Sequence, residues 1–142
     1  MIIEKFKSIF LGLEIAYGQY QPGERGDNGK QKGKAFIVRG QVTDELWSNH
    51  LAGKGPALGI IPITEDNSCR WGCIDIDEYN FDHTSFIKSI RDHKLPLIVC
   101  RSKSGGAHVF LFTKENIPAS LMQSKLKQMA IILGYEGSEI FP

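Results

Sequence analysis

The stretch Cys73-Ile74-Asp75-Ile76-Asp77 places two acids inside a run that otherwise reads as a buried strand. Successive side chains of a strand point to opposite faces, so Asp75 and Asp77 share one face while Ile74 and Ile76 turn towards a core. Two like charges fixed this close on rigid backbone repel, and in a half-buried place they either take up protons or recruit a cation. A hard divalent ion such as Mg²⁺ meets that need, because it is commonly held by one or two carboxylates together with substrate phosphates. The same two acids at a solvated strand end would need no ion, and a D-x-D pair matches often by chance.

The chain around this stretch has 142 residues, enough for one core of ordinary size, so a single unit over residues 1–142 is expected. An apolar fraction of 42% and a charged fraction of 23% exclude a disordered or fibrous chain. No apolar run is long enough to cross a bilayer, and Glu4, Lys5 and Lys7 interrupt any signal-peptide pattern. A cytoplasmic protein with no membrane partner is expected. Cys69, Cys73 and Cys100 form no C-x-x-C pair, which argues against a disulfide framework or structural zinc and for reduced packing residues. At a net charge of +1, any nucleic-acid binding has to come from local patches.

In chain order, Ile3, Phe6, Ile9, Phe10 and Leu13 recur at helical spacing, predicting an amphipathic helix that ends near Gly12. Residues 21–34 are polar and Gly-rich with Arg25, Lys30, Lys32 and Lys34, which predicts a flexible basic surface loop. That loop is either a solvated connection or, with Arg39 beyond it, an arm for a phosphate backbone. Thr43 is a suitable N-cap for a short helix through Trp47 to Leu51, broken by Gly53-Lys54-Gly55-Pro56. Residues 57–63 and 70–77 read as two strands expected to pair. Trp47 and His50 read as structural residues in preference to a base-stacking platform.

Residues 82–94 carry Phe86, Ile87 and Ile90 on one side of a helix, and Pro96 ends it before an apolar strand over 97–100. Strand, helix, strand from Cys73 to Cys100 has the form of a right-handed βαβ crossover with parallel strands. A further strand over 107–112 follows a loop, Arg101-Ser102-Lys103-Ser104-Gly105-Gly106. The loop is either a plain hairpin turn or an anion-binding nest in which Gly105 and Gly106 aim amides at one spot, with Ser104 and Lys103 adding a hydroxyl and a cation. His108 shares a face with Phe110 and Phe112 beside this loop. There it is a satisfied structural histidine or a donor to a bound phosphate. Pro118, then Met122, Leu126, Met129 and Leu133, then Gly134 mark a last helix with an apolar stripe.

Taken together, Cys73-Ile74-Asp75-Ile76-Asp77, then Ser102-Lys103-Ser104-Gly105-Gly106-Ala107-His108, then Glu139-Ile140-Phe141-Pro142 resemble, in that order, the three motifs of the archaeo-eukaryotic primase superfamily. The branch most similar is that of the primase-polymerases of phages and TOTE conflict systems. His50-Leu51-Ala52-Gly53, Leu58-Gly59-Ile60-Ile61-Pro62-Ile63 and Trp71-Gly72 are also similar to that branch. The resemblance implies an α+β fold, a mixed sheet with flanking helices, truncated before its RRM-like half is complete.

It further implies that Asp75, Asp77 and Glu139 hold two Mg²⁺ or Mn²⁺ ions. Lys103, Ser104, Gly105, Gly106 and His108 would bind the triphosphate of the incoming nucleotide, with His108 counted among the catalytic residues. The implied partners are a single-stranded DNA template, nucleoside triphosphates and a helicase domain or protein. Template-directed nucleotidyl transfer is the function so implied. A non-catalytic nucleotide- or nucleic-acid-binding remnant of the same fold, and a metal-dependent nuclease using Asp75 and Asp77, stand as alternatives.

Overall fold

β4 (Ser68–Ile76) carries the acidic stretch as far as Ile76 and is a central strand of a four-stranded sheet. In the computed structural model, which describes residues 1–27 and 31–142, the elements preceding it are α1 (Ile2–Ile9), β1 (Ala16–Arg25), β2 (Gln31–Arg39), α2 (Asp44–Leu51) and β3 (Ala57–Gly59). Those following it are α3 (His83–Asp92), β5 (Ile98–Arg101), β6 (Ala107–Pro118), α4 (Ala119–Leu133) and β7 (Glu139–Phe141). The fold is α+β. Where length predicts one unit, the contacts separate into two compact ones, Met1–Glu65 and Asp66–Pro142.

The second unit is built on the sheet β5-β6-β4-β7. Ile74 and Val109 face each other across β4 and β6 and are wholly buried, as are Met122 and Leu126 of α4. Each such side chain contributes about 1.5–3 kcal/mol by leaving water. α3 joins the same core through Phe86 and Ile90, and its N-terminus is capped by Asp82, whose carboxylate accepts from the Ser85 amide at 3.0 Å. α4 presses hard on β4: a Cβ on Gly72 would stand 2.6 Å from Leu126 Cδ1, so glycine is what lets the helix approach. Gly134 closes α4 in the left-handed region at φ +79°.

Several sequence expectations are corrected. β4 and β5 run in the same direction, but β6 lies between them and pairs antiparallel with both. The crossover is therefore split, and both sheets pair only antiparallel among the described residues, where a mixed sheet was expected. A short hairpin returning from β5 fills the slot a parallel neighbour would need. Residues 57–63 form a strand only over Ala57–Gly59, which pairs with β1 and not with β4.

The first unit holds the sheet β2-β1-β3. The stretch expected to be a loop over 21–34 is largely strand: Gln21 opposes Lys34 and Pro22 opposes Gly33, with a bulge before Arg25 opposes Gln31. Gly23 and Gly33 are demanded by close approach, since a Cβ on Gly23 would stand 1.9 Å from the Lys32 carbonyl oxygen and one on Gly33 2.1 Å from the Tyr20 ring. Pro22 is tolerated because β3 reaches only Gly18 to Tyr20, leaving that edge unpaired among the described residues. Lys30 lies outside the described residues. Trp47 is buried, and His50 Nδ1 accepts from the Leu58 amide at 3.0 Å, so both have the expected structural places. No described helix is long and apolar enough to cross a membrane.

Candidate active site

Antiparallel register brings one residue from each strand of the second unit into a single row. Cys100 of β5 opposes His108 of β6, His108 opposes Asp75 of β4, and Asp75 opposes Glu139 of β7. Directly opposed residues share a face, with Cβ atoms about 4.5–5.5 Å apart. This face lies away from the core, because the neighbouring positions Val109 and Ile74 are wholly buried on the other side. Asp77 follows just past the end of β4 and is exposed, while Asp75 is half-buried.

His108 Nε2 stands 3.5 Å from Asp75 Oδ1, with their side chains 45% and 32% exposed, so water reaches the pair and screens it. The Ser104 hydroxyl donates to Asp77 Oδ1 at 3.4 Å and lies 3.2 Å from the hydroxyl of Ser102, which is buried. The loop from Arg101 to Gly106 is a hairpin turn. The Ser102 amide donates to the Gly106 carbonyl and the Gly105 amide to the Ser102 carbonyl, each at 3.1 Å. Gly105, at φ +95°, thus turns the chain with its amide bonded inside the hairpin, which is the first of the two readings open for this loop. Gly106 sits tightly against β4, where a Cβ would stand 2.0 Å from the Ile76 carbonyl oxygen. His83 Nε2 lies 2.9 Å from the Gly106 carbonyl and ties α3 to the base of the loop.

Asp75, Asp77, Ser104, His108 and Glu139 are thus gathered at one end of one sheet. Glu139 is held by the β4–β7 ladder and is itself exposed. Lys103 is exposed in the same loop. Arg25, Lys32, Lys34 and Arg39 are exposed in the other unit. As their side chains stand, no three or more His, Cys, Asp or Glu among the described residues are grouped to hold a metal ion. Asp75 leans to His108 and Asp77 accepts from Ser104.

Two residues escaped the sequence reading. Cys100, expected to be packing, is exposed at the end of the row, whereas Cys69 and Cys73 are buried and burial pushes the Cys73 thiol up to about 12. A hairpin centred on Ser104 carries the signal, since folding the chain there sets Cys100 opposite His108. His83 is the other, and nothing in its local pattern marks it.

The sequence matches the family model described as the TOTE conflict system archaeo-eukaryotic primase domain over residues 3–134, a span that includes Asp75, Asp77, Ser104 and His108 but not Glu139. No curated protein matches it. With nearly its whole length covered, the chain belongs to the archaeo-eukaryotic primase domain family of TOTE conflict systems.

Proposed function

We propose that this domain carries out template-directed nucleotidyl transfer, extending a strand paired to a single-stranded DNA template. The observation that supports this best is the row His108–Asp75–Glu139 on one sheet face, with Ser104 3.4 Å from Asp77 at its end. In the reaction a strand's 3′ oxygen bonds to the α-phosphorus, the bond from that phosphorus to the bridging oxygen breaks, pyrophosphate leaves, and the hydroxyl proton passes to solvent. Such transfer depends mainly on positioning and charge neutralisation.

Asp75, Asp77 and Glu139 would hold Mg²⁺ or Mn²⁺. Their fit rests on donor chemistry and backbone placement: three carboxylates supply hard oxygen donors, and two of them directly oppose each other across β4 and β7. Bound there, the ions would stabilise the attacking and leaving oxygens. His108, on the same face, would donate a hydrogen bond to a phosphate oxygen once turned from Asp75, and the Ser104 hydroxyl and the Lys103 ammonium would add a donor and a positive charge.

A second reading, nucleotide binding without catalysis, is favoured by the direct approach of His108 to Asp75 and of Ser104 to Asp77. Incubation with a primed single-stranded template, nucleoside triphosphates and Mn²⁺ separates the cases. Extended strands that disappear with Asp75→Asn support transfer. A mobility shift alone supports the second reading, and degraded template would make the site a nuclease.

A further inference from the structure

The segment that carries Asp77 leaves Gly106 and returns to it. A Cβ on Gly106 would stand 2.0 Å from the Ile76 carbonyl oxygen and 3.3 Å from the Glu78 amide nitrogen, so the backbone on both sides of Asp77 lies against this glycine. The chain then turns, with Asn80 in the left-handed region at φ +56°, and α3 begins at His83. From that first helical position His83 reaches back, its Nε2 2.9 Å from the Gly106 carbonyl oxygen. A carbonyl only accepts, so Nε2 carries the hydrogen and donates it. The same oxygen accepts from the Ser102 amide, which closes the base of the hairpin that holds Ser104.

The His83 ring is itself held in place. It meets the Phe81 ring edge-on, with centroids 4.8 Å apart, and Phe81 is buried against Phe86 and Tyr135. The core therefore fixes the imidazole, and the imidazole fixes the hairpin. Asp75 needs no such help, because β6 and β7 both pair with it. Asp77 lies one residue beyond the last β4–β6 pair, Ile76 with Ala107, and meets the hairpin through the Ser104 hydroxyl at 3.4 Å. Glu78 interacts with the Tyr135 hydroxyl, which ties the segment to the end of α4 and not to the hairpin. The bond from His83 is what joins the far end of the segment to the loop carrying Ser104.

We infer that His83 is a positioning residue for nucleotidyl transfer: by closing residues 77–82 onto Gly106 it holds Asp77 in register with Ser104. The inference rests on the reaction proposed above. His83 acts through Asp77 and Ser104 and touches neither ion nor substrate. Groups that orient a metal ligand in this indirect way commonly change metal affinity 10- to 100-fold when removed.

Two substitutions separate the hydrogen bond from the ring. His83→Phe keeps an aromatic edge against Phe81 but has no donor, and His83→Gln keeps an N–H near the Nε2 position but has no ring. Calorimetric titration of Mn²⁺, with thermal melts alongside, should show affinity about tenfold weaker in His83→Phe and close to the parent in His83→Gln. Hydrogen exchange measured without metal should be faster over residues 77–82 and 102–106 in His83→Phe alone. In the unaltered chain, nitrogen NMR should find His83 as the Nε2–H tautomer with a slowly exchanging proton, whatever the variants' folding. Parent-like Mn²⁺ affinity in folded His83→Phe, equal losses in the two variants, or an Nδ1–H tautomer would each overturn the inference. A parent that binds no Mn²⁺ would overturn the metal-dependent reading and this inference with it, whereas a parent that binds the ion beside an unaffected His83→Phe overturns this inference alone.

Discussion

Asp75 and Glu139 lie 64 positions apart in the sequence and directly opposite each other in space, across the antiparallel pair of β4 and β7. Cross-strand neighbours of like charge destabilise a sheet unless something relieves the repulsion. His108 approaches Asp75 from the other side, at 3.5 Å. Replacing either acid by its amide should therefore leave the fold intact and raise the melting temperature slightly or not at all, while greatly weakening Mn²⁺ binding. Calorimetric titration of Asp75→Asn and Glu139→Gln checks this, and parent-like Mn²⁺ affinity in both would remove them as ligands.

His108, proposed above to meet phosphate oxygens, belongs to a different unit from the basic ribbon. A hydrogen bond to a charged group contributes about 1.5–3 kcal/mol, so His108→Ala should weaken triphosphate binding roughly tenfold or more. Binding of single-stranded DNA should change little. Equal losses for the two ligands would mark His108 as a structural residue.

Cys100 is the exposed cysteine of the three, beside His108 in the row. The other two thiols are buried, and that of Cys73 is pushed up to about 12 by desolvation, so it supplies almost no thiolate at neutral pH. A maleimide should add once to the folded chain, at Cys100, and a bulky one should obstruct triphosphate binding. Mass spectrometry of the labelled protein with a nucleotide titration tests both parts, and Cys100→Ser should abolish labelling without weakening nucleotide binding.

Gly106 has no room for a side chain, because the obstructing atom is the Ile76 carbonyl oxygen of the β4 backbone. Gly106→Ala should force β6 and β4 apart next to Asp75, costing about 1–3 kcal/mol as overpacking commonly does. Mn²⁺ and triphosphate affinity should fall with it. Denaturant melts and the same titrations, run beside the parent, measure the two effects.

Asp82 caps α3, and the bond it accepts from the Ser85 amide, with a second from the Ser85 hydroxyl, holds its carboxyl below the usual carboxylate range. A depressed folded pKa means stability that is present above the unfolded value and lost as pH falls through the folded one. Asp82→Ala should therefore lower the melting temperature at neutral pH, and the gap from the parent should close as the solution is acidified through the carboxylate range. A gap that stays constant down to low pH would show that the cap acts without its charge.

Local periodicity alone determined a good part of this protein. The alternation that buries Ile74 and Ile76 and leaves Asp75 and Asp77 outside is written in five residues, and the structure keeps it. So are the stripe of α4, with Met122 and Leu126 wholly buried, and its left-handed stop at Gly134. These features depend on side-chain spacing along one element, which a sequence states directly.

Pairing partners were decided only by the tertiary structure. β6 came between β4 and β5, β3 joined β1, and residues 21–25 and 31–34 became a ribbon because Gly23 and Gly33 admit the Lys32 carbonyl and the Tyr20 ring. The row from Cys100 to Glu139 exists because three registers agree at once. A register is selected by which faces are buried when distant segments meet, and no single segment contains that information.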